Sequence, residues 1–244
     1  MNEEKFTGKA DLYEKYRPTY PSELIDWLYD NTEAETVADV GAGTGKFTRC
    51  LAAKPWKITA VEPNEDMRSK LNIEGVKVVN GTAENTGLAD SSVDLVTTAQ
   101  AFHWFDRDKF KAECMRILKP AGSLAIVYNE RRMSDDYCPE RDEIFKKYCG
   151  KAKVRHICTD SDEEGEQYLK DGFFTEVKTF ALNSDKQVDL EGFIGRELSS
   201  SVALKEDNPK YNEFKQELVN LFNKYQKDGK VTIKTVSVCY LGKF

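Results

Sequence analysis

An α/β fold is what the sequence predicts: an open, mostly parallel sheet of about seven strands, with helices on both faces and a small helical insertion in the C-terminal half. Three observations carry that expectation. From Thr36 to Tyr128 short apolar runs alternate with longer amphipathic ones, the pattern of βαβ units. A glycine-rich turn, Gly41-Ala42-Gly43-Thr44-Gly45, joins the first apolar run to the first helical pattern. Near the C-terminus, two further β-rich segments enclose two helical patterns.

The elements follow in order. Phe6–Pro21 is an aromatic, partly stiff lead-in, with Tyr13, Tyr16, Arg17, Tyr20 and two prolines. Strands are expected at Val37–Val40, Ile58–Val61, Val76–Val79, Leu95–Ala99 and Leu124–Tyr128, with helices at Lys46–Ala53, Glu65–Leu71 and Asp106–Leu118. Lys119-Pro120-Ala121-Gly122 stops the last of these, because proline cannot continue a helix and glycine permits the reversal. The charged stretch Asn129–Asp162 reads as an insertion, with one helix at Glu140–Cys149 and turn signals around Ser161–Gly165. Phe173–Leu182 and Val231–Tyr240 supply the last two strands, around helices at Leu190–Leu204 and Tyr211–Tyr225, the second ending at Asp228-Gly229. One domain is expected, in three stretches: an N-terminal lid or helix (1–35), a cofactor-binding core (36–128), and a substrate-side insertion with the last strands (129–244).

Composition narrows the function classes. The 244 residues carry 36 Lys plus Arg against 42 Asp plus Glu, a net charge of -6, which argues against nucleic acid as a partner. No run approaches the roughly 18 apolar residues of a membrane span, and Met1-Asn2-Glu3-Glu4-Lys5 is too polar for a secretory signal, so no membrane partner and a cytoplasmic location are expected. Cys50, Cys114, Cys138, Cys149, Cys158 and Cys239 form no C-x-x-C pair and read as reduced thiols. With His103 and His156 the only histidines, no metal site is expected.

Spacing separates the ligands that a glycine turn can serve. A phosphate-cradling Walker loop needs G-x-x-x-x-G-K-[ST]; Gly41 to Gly45 is one residue short, and Phe47 replaces the hydroxyl. The dinucleotide fingerprint needs glycine at 46, where Lys46 stands. What remains is an acid, Asp39, two residues before G-x-G-x-G. Glu62, at the tip of the second strand and before Pro63-Asn64, can accept both hydroxyls of a ribose; by itself it does not separate NAD from another ribose-bearing cofactor.

These residues, with Gly81-Thr82-Ala83-Glu84 after the third strand, Gln100-Ala101-Phe102-His103-Trp104 after the fourth, and Tyr16-Arg17-Pro18-Thr19-Tyr20-Pro21, resemble the class I S-adenosylmethionine-dependent methyltransferases. Within them the type 11 branch, including enzymes similar to trans-aconitate methyltransferase, is nearest in pattern; the resemblance covers about residues 6 to 128 and is architectural beyond. It implies a Rossmann-like fold and S-adenosyl-L-methionine as cofactor. By the same resemblance Asp39, Gly41, Ala42, Gly43 and Gly45 flank its amino-acid half, Glu62 and Pro63 its ribose, and Thr82, Ala83 and Glu84 its adenine. Thr82 stands where the family often has Asp. Tyr16 is implied as a wall, Arg17 as partner of the methionyl carboxylate, and Gln100, His103 and Trp104 as facing cofactor and substrate.

His103 is then the candidate base for an acceptor that carries a proton. A carboxylate acceptor needs none, and Arg131, Arg132 or Arg196 would hold it. The Asn/Asp-Pro-Pro-aromatic motif of nucleic-acid amino-methyltransferases is missing after the fourth strand, which with the acidic balance favours a small-molecule acceptor. The enzyme reading is thus methyl transfer to a small molecule by in-line displacement, in a monomer or homodimer. Its alternatives are a non-catalytic binder of the same cofactor and an NAD-dependent oxidoreductase.

Overall fold

The computed structural model describes residues 10–132, 136–150 and 168–244. Its elements run α1 (Ala10–Tyr16), α2 (Ser22–Asp30), β1 (Thr36–Val40), α3 (Lys46–Leu51), β2 (Lys57–Val61), α4 (Glu65–Arg68), β3 (Lys77–Val79), β4 (Val93–Ala99), a 3-10 turn (Phe102–Trp104), α5 (Arg107–Ile117) and β5 (Leu118–Arg131). There follow α6 (Cys138–Cys149), a π-turn (Leu169–Phe173), β6 (Glu176–Asn183), β7 (Lys186–Val188), α7 (Leu190–Leu198), α8 (Tyr211–Tyr225), β8 (Val231–Ile233) and β9 (Thr235–Lys243).

Seven strands form one sheet in the order β3-β2-β1-β4-β5-β9-β6. β1, β2, β3, β4 and β5 are parallel, and β9 runs antiparallel between β5 and β6. Each face is buried. On one side Val40, Val96, Ile126 and Tyr128 pack with Phe110, Cys114 and Ile117 of α5; on the other Val37, Leu95 and Val127 meet Leu24 and Leu28 of α2 and Phe47 and Leu51 of α3. The chain leaves β1 toward β2 and β3 but crosses back to lay β4 on β1's other edge, so the carboxyl ends of β1 and β4 border the crevice where such sheets bind ligands.

Helix ends follow local chemistry. Asn64 accepts the Met67 amide at 2.9 Å and Asp106 the Lys109 amide at 3.3 Å, which starts α4 and α5 one residue after each cap. The helices expected to reach Ala53, Leu71 and Leu204 end earlier, at Leu51, Arg68 and Leu198.

The C-terminal half departs from expectation in two places. Val231–Tyr240 is not one strand: β8 pairs with β7 in a separate two-stranded sheet, and β9 begins anew at Thr235, whose amide donates to Asp185 Oδ1 at 3.0 Å. The expected strand from Phe173 starts at Glu176, because Phe173 and Phe174 turn inward against Phe102 and Phe244. The insertion has its own core, where Phe145, Phe193, Phe214, Leu218 and Phe222 of α6, α7 and α8 close on Val231 and Ile233. His156, Cys158 and the turn signals at Ser161–Gly165 lie outside the described residues.

Candidate functional site

A cleft of about 1120 Å³, counted to its open mouth, lies over the carboxyl ends of β1, β2 and β4. Of the residues expected to hold the cofactor, Asp39, Gly41, Ala42, Gly43, Glu62, Pro63, Thr82, Ala83, Glu84, Gln100 and Trp104 line it. Sequence reasoning missed Tyr20, Lys46, Phe47, Asn64, Met67, Ala99, Ala101 and Phe105, which complete the wall. Only Asn64 carried a signal, by following Glu62-Pro63; the others are apolar or cationic side chains that look like core or surface until the fold is known.

The turn after β1 has a left-handed backbone at Gly41 (φ +71°), Gly43 (φ +59°) and Gly45 (φ +84°), which side chains with a Cβ rarely adopt. A Cβ on Gly41 would stand 2.8 Å from the Ala101 Cβ, and one on Gly45 2.5 Å from Leu71 Cδ2. Gly43 differs: nothing lies within 4 Å of where its Cβ would be. That open concavity faces ligand space, and a side chain would occupy it.

Glu62 is nine-tenths buried beside this turn. Its Oε2 accepts the Gly43 amide at 2.8 Å and its Oε1 the Asn64 amide at 2.9 Å. Two backbone donors fix the carboxylate plane at the tip of β2, as a bidentate acceptor of ribose hydroxyls requires. The open cradle at Gly43 and this oriented carboxylate fit an adenosyl cofactor.

Asp39 has a different job. It is buried, and its oxygens accept Thr48 Oγ1 at 2.6 Å and Thr97 Oγ1 at 2.8 Å, tying β1 to α3 and β4 beneath the glycine turn. Burial pushes its pKa up to about 6; the two hydroxyls oppose that rise and the Glu62 charge adds to it. Lys46, at the start of α3, has its ammonium pKa lowered by burial, with Glu14 opposing.

On the adenine side, Thr82 Oγ1 accepts the Asn85 amide at 3.1 Å and so closes its own turn. Glu84 accepts the Asp106 amide at 3.0 Å, pinning the β3–β4 loop to the start of α5. At the end of β4, Gln100 takes a positive φ of 57° while its amide donates to Val127 O at 2.9 Å and its Nε2 to Asn129 O at 2.8 Å. The side chain therefore bridges β4 to β5 rather than reaching across the cleft.

Four expected site residues lie outside the lining. His103 sits in the 3-10 turn with its ring 4.6 Å from that of Trp104 and 6.1 Å from that of Tyr128. Tyr16 packs flat on Gly195 of α7, where a Cβ would come within 2.4 Å of its ring, and its hydroxyl donates to Glu191 at 2.8 Å. Arg17 donates to Ser199 O at 3.4 Å at the end of α7. Gly45, the third glycine, supports the turn from behind against Leu71 and Ile73.

α1 thus spans two regions. Glu14 accepts Thr44 Oγ1 at 2.5 Å and pairs with Arg49 at 3.0 Å, while Lys15 and Tyr16 hold Glu191. Beyond β5 lies a cluster of opposite character: the buried Glu197 is shared by Arg131 at 2.6 Å and Arg141 at 2.9 Å. Burial works to raise the Glu197 pKa, but the two guanidinium groups hold it down to about 2. Of the arginines weighed as substrate holders, Arg132 is bound to Asn183 on the sheet edge.

Comparison with known proteins agrees with this geometry. Residues 38–126, the stretch that builds the cleft, match the model of a methyltransferase domain. Along nearly its whole length the chain is 30% identical to an uncharacterized methyltransferase of Schizosaccharomyces pombe, covering 96% of this chain and 95% of that one. It is 42% identical over 142 residues to an uncharacterized methyltransferase of Mycobacterium bovis, a match spanning 57% of this chain and 58% of the other. In fold it is similar to a solved candidate type II methyltransferase of Anaeromyxobacter dehalogenans, at TM-score 0.69 and 24% identity over 93% of this chain and 98% of that one. The same holds for a methyltransferase of Thermotoga maritima, at TM-score 0.56 and 22% identity over 99% of each chain. These matches set the oxidoreductase alternative aside, and the chain belongs to the S-adenosylmethionine-dependent methyltransferases.

Proposed function

We propose that the protein transfers the methyl group of S-adenosylmethionine to a small-molecule acceptor by in-line displacement. The observation that carries the small-acceptor reading is α1, which runs from the glycine turn at Thr44 to α7 at Gly195 and so bounds the approach to the cleft. The acidic balance of the chain supports it further.

Bound S-adenosylmethionine supplies an electrophilic methyl on a positively charged sulfur. The residues' task is alignment and exclusion of water, which can supply much of the acceleration. Glu62 and the Gly43 cradle hold the ribose and amino-acid side, while Tyr20, Trp104 and Phe105 wall the cleft with aromatic surface. Where the acceptor carries a proton, His103 is the base we assign, placed by Trp104 and Tyr128 beside the Gln100–Trp104 wall. Arg17, from its place at the end of α7, is assigned to the methionyl carboxylate, with Tyr16 holding α1 in position.

Calorimetry with S-adenosylmethionine and its demethylated product tests the cofactor half; absence of binding by both overturns it. A labelled-methyl screen against fractionated small molecules tests the acceptor half. Tight cofactor binding with no labelled product from any fraction turns the conclusion to the non-catalytic binder.

A further inference from the structure

Gln100, the residue that leaves β4, holds a left-handed backbone at φ +57°, a conformation that glycine takes freely and a side chain resists. Strain of this kind persists where the surroundings hold it in place. Here they do so at two points. The Gln100 amide donates to Val127 O at 2.9 Å and its side-chain Nε2 to Asn129 O at 2.8 Å, both on β5. Asn129 is itself fixed, since its Nδ2 donates to Thr19 O at 3.3 Å and its Oδ1 accepts Ser237 Oγ of β9 at 2.5 Å.

That anchoring decides which end of the Gln100 amide is left to the cleft. Only the nitrogen can meet a backbone carbonyl, so the orientation follows from the chemistry of the bond. The oxygen diverges from the same carbon, and among the described residues nothing donates to it. Gln100 lines the cleft on the side it shares with Trp104 and Phe105, and Ala101, which follows it, packs against Gly41 of the glycine turn. A fixed hydrogen-bond acceptor therefore stands open beside the cofactor cradle. The charges around it have one sign in excess: Asp39, Glu62 and Glu84 line the cleft against a single cation, Lys46.

We propose that Gln100 Oε1 accepts a hydrogen bond from the attacking nitrogen of the methyl acceptor, which is a primary or secondary amine. The inference rests on the methyl-transfer reading and adds to it the attacked atom. An amide oxygen accepts a hydrogen bond but takes no proton at neutral pH. The nucleophile it holds must attack with its hydrogens in place, which an uncharged amine does and an alcohol does not. A carboxylate has no hydrogen to give, and the three cleft carboxylates repel it. In the step, the nitrogen lone pair forms the N–C bond to the methyl while the C–S bond breaks and its electron pair passes to sulfur. Positive charge moves from sulfur to nitrogen, so the cleft keeps its net charge, and the ammonium product then gives up one proton to water.

The test incubates the full chain with methyl-labelled S-adenosylmethionine and a small-molecule cell extract, before and after acetic anhydride has acetylated the amines of the extract. Acetylation is expected to abolish labelling, and the label in the product of untreated extract should resist mild alkali, as an N-methyl group does. Gln100→Leu and Gln100→Gly, the second free of backbone strain, should each lose about tenfold or more in kcat/KM for the labelled acceptor, the worth of one hydrogen bond. Their S-adenosylhomocysteine affinity, by calorimetry, should stay within about twofold of wild type. Labelled methanol released by alkali marks a methyl ester and overturns the proposal, as does labelling that survives acetylation. Unchanged turnover in both variants, or a loss of S-adenosylhomocysteine affinity in parallel with turnover, overturns it too. S-adenosylhomocysteine binding with no labelled product overturns it in favour of the non-catalytic binder, whereas no S-adenosylhomocysteine binding overturns the methyl-transfer reading beneath it.

Discussion

The cofactor cleft and the region beyond the carboxyl end of β5 invert one another in charge. At the cleft, carboxylates do the work: Asp39 ties the strands, Glu62 orients toward ligand space and Glu84 pins a loop, each held by hydroxyls or backbone amides. Beyond β5, guanidinium groups gather around one buried carboxylate, Glu197. Neutral donors hold these acids without a cation, and at Asp39 the two hydroxyls offset only part of the burial penalty. A knot of arginines needs a buried acid to exist at all. The first arrangement suits a cofactor bearing hydroxyls and a cation; the second satisfies its guanidinium groups from within the chain, through Glu197.

Removing the acid at the centre of the arginine knot is the harshest way to break that contrast. Glu197→Gln leaves Arg131 and Arg141 without their shared counter-charge, and a loss of about 3–5 kcal/mol in unfolding free energy is expected by urea denaturation. The equivalent cut at the other end acts on binding. Glu62→Ala deletes the acceptor of the Gly43 and Asn64 amides, and calorimetry should show S-adenosylmethionine affinity falling by roughly a hundredfold, about 3 kcal/mol. Gly43→Val, which fills the open cradle in a strained conformation, should weaken it at least as much while the fold survives.

Asp39 sharpens the comparison through pH. Its folded pKa, about 6, lies above the ordinary 3.8, so the folded chain holds this proton more tightly than the unfolded one. The stability it contributes is present at low pH and falls as pH rises from about 4 to about 6, by up to about 3 kcal/mol. Asp39→Asn should remove that slope from denaturation curves taken across the window, without loss of stability at pH 7. The smallest effect is expected at His103. His103→Gln should leave cofactor affinity unchanged and, for an acceptor that carries a proton, flatten the acid limb of the rate profile.

The readable part of the fold was the part governed by local pattern. β1 to β4 fall within two residues of expectation because each is an apolar run closed by turn chemistry, and Gly41, Gly43 and Gly45 announce a backbone that side chains resist; β5 instead starts six residues early, at Leu118, taking in the Lys119–Gly122 stretch expected as a turn. β7 was invisible: Lys186-Gln187-Val188 has neither length nor alternation, and β8 pairs with it only because the chain breaks at Lys234. In the site, positions fixed by backbone geometry could be read, including Glu62 at a strand tip and Ala83 in a turn. Tyr16 and Arg17 could not be placed, since their positions depend on α7, more than 170 residues away in sequence. Tyr20 lines the cleft from the lead-in segment through packing that no local spacing encodes, whereas Lys46 stands there because it directly follows the glycine turn.

Gly195 gives that long-range dependence a physical size. The Tyr16 ring occupies the volume a methyl group would fill on α7, so α1 packs on the C-terminal half through a hydrogen atom where most helical residues carry a carbon. A single added carbon there is a wedge: it would lever α1 outward and strain the Glu14–Thr44 hydrogen bond that ties α1 to the glycine turn. The seating of α1, and through Thr44 that of the glycine turn, is therefore set at one position far away in sequence.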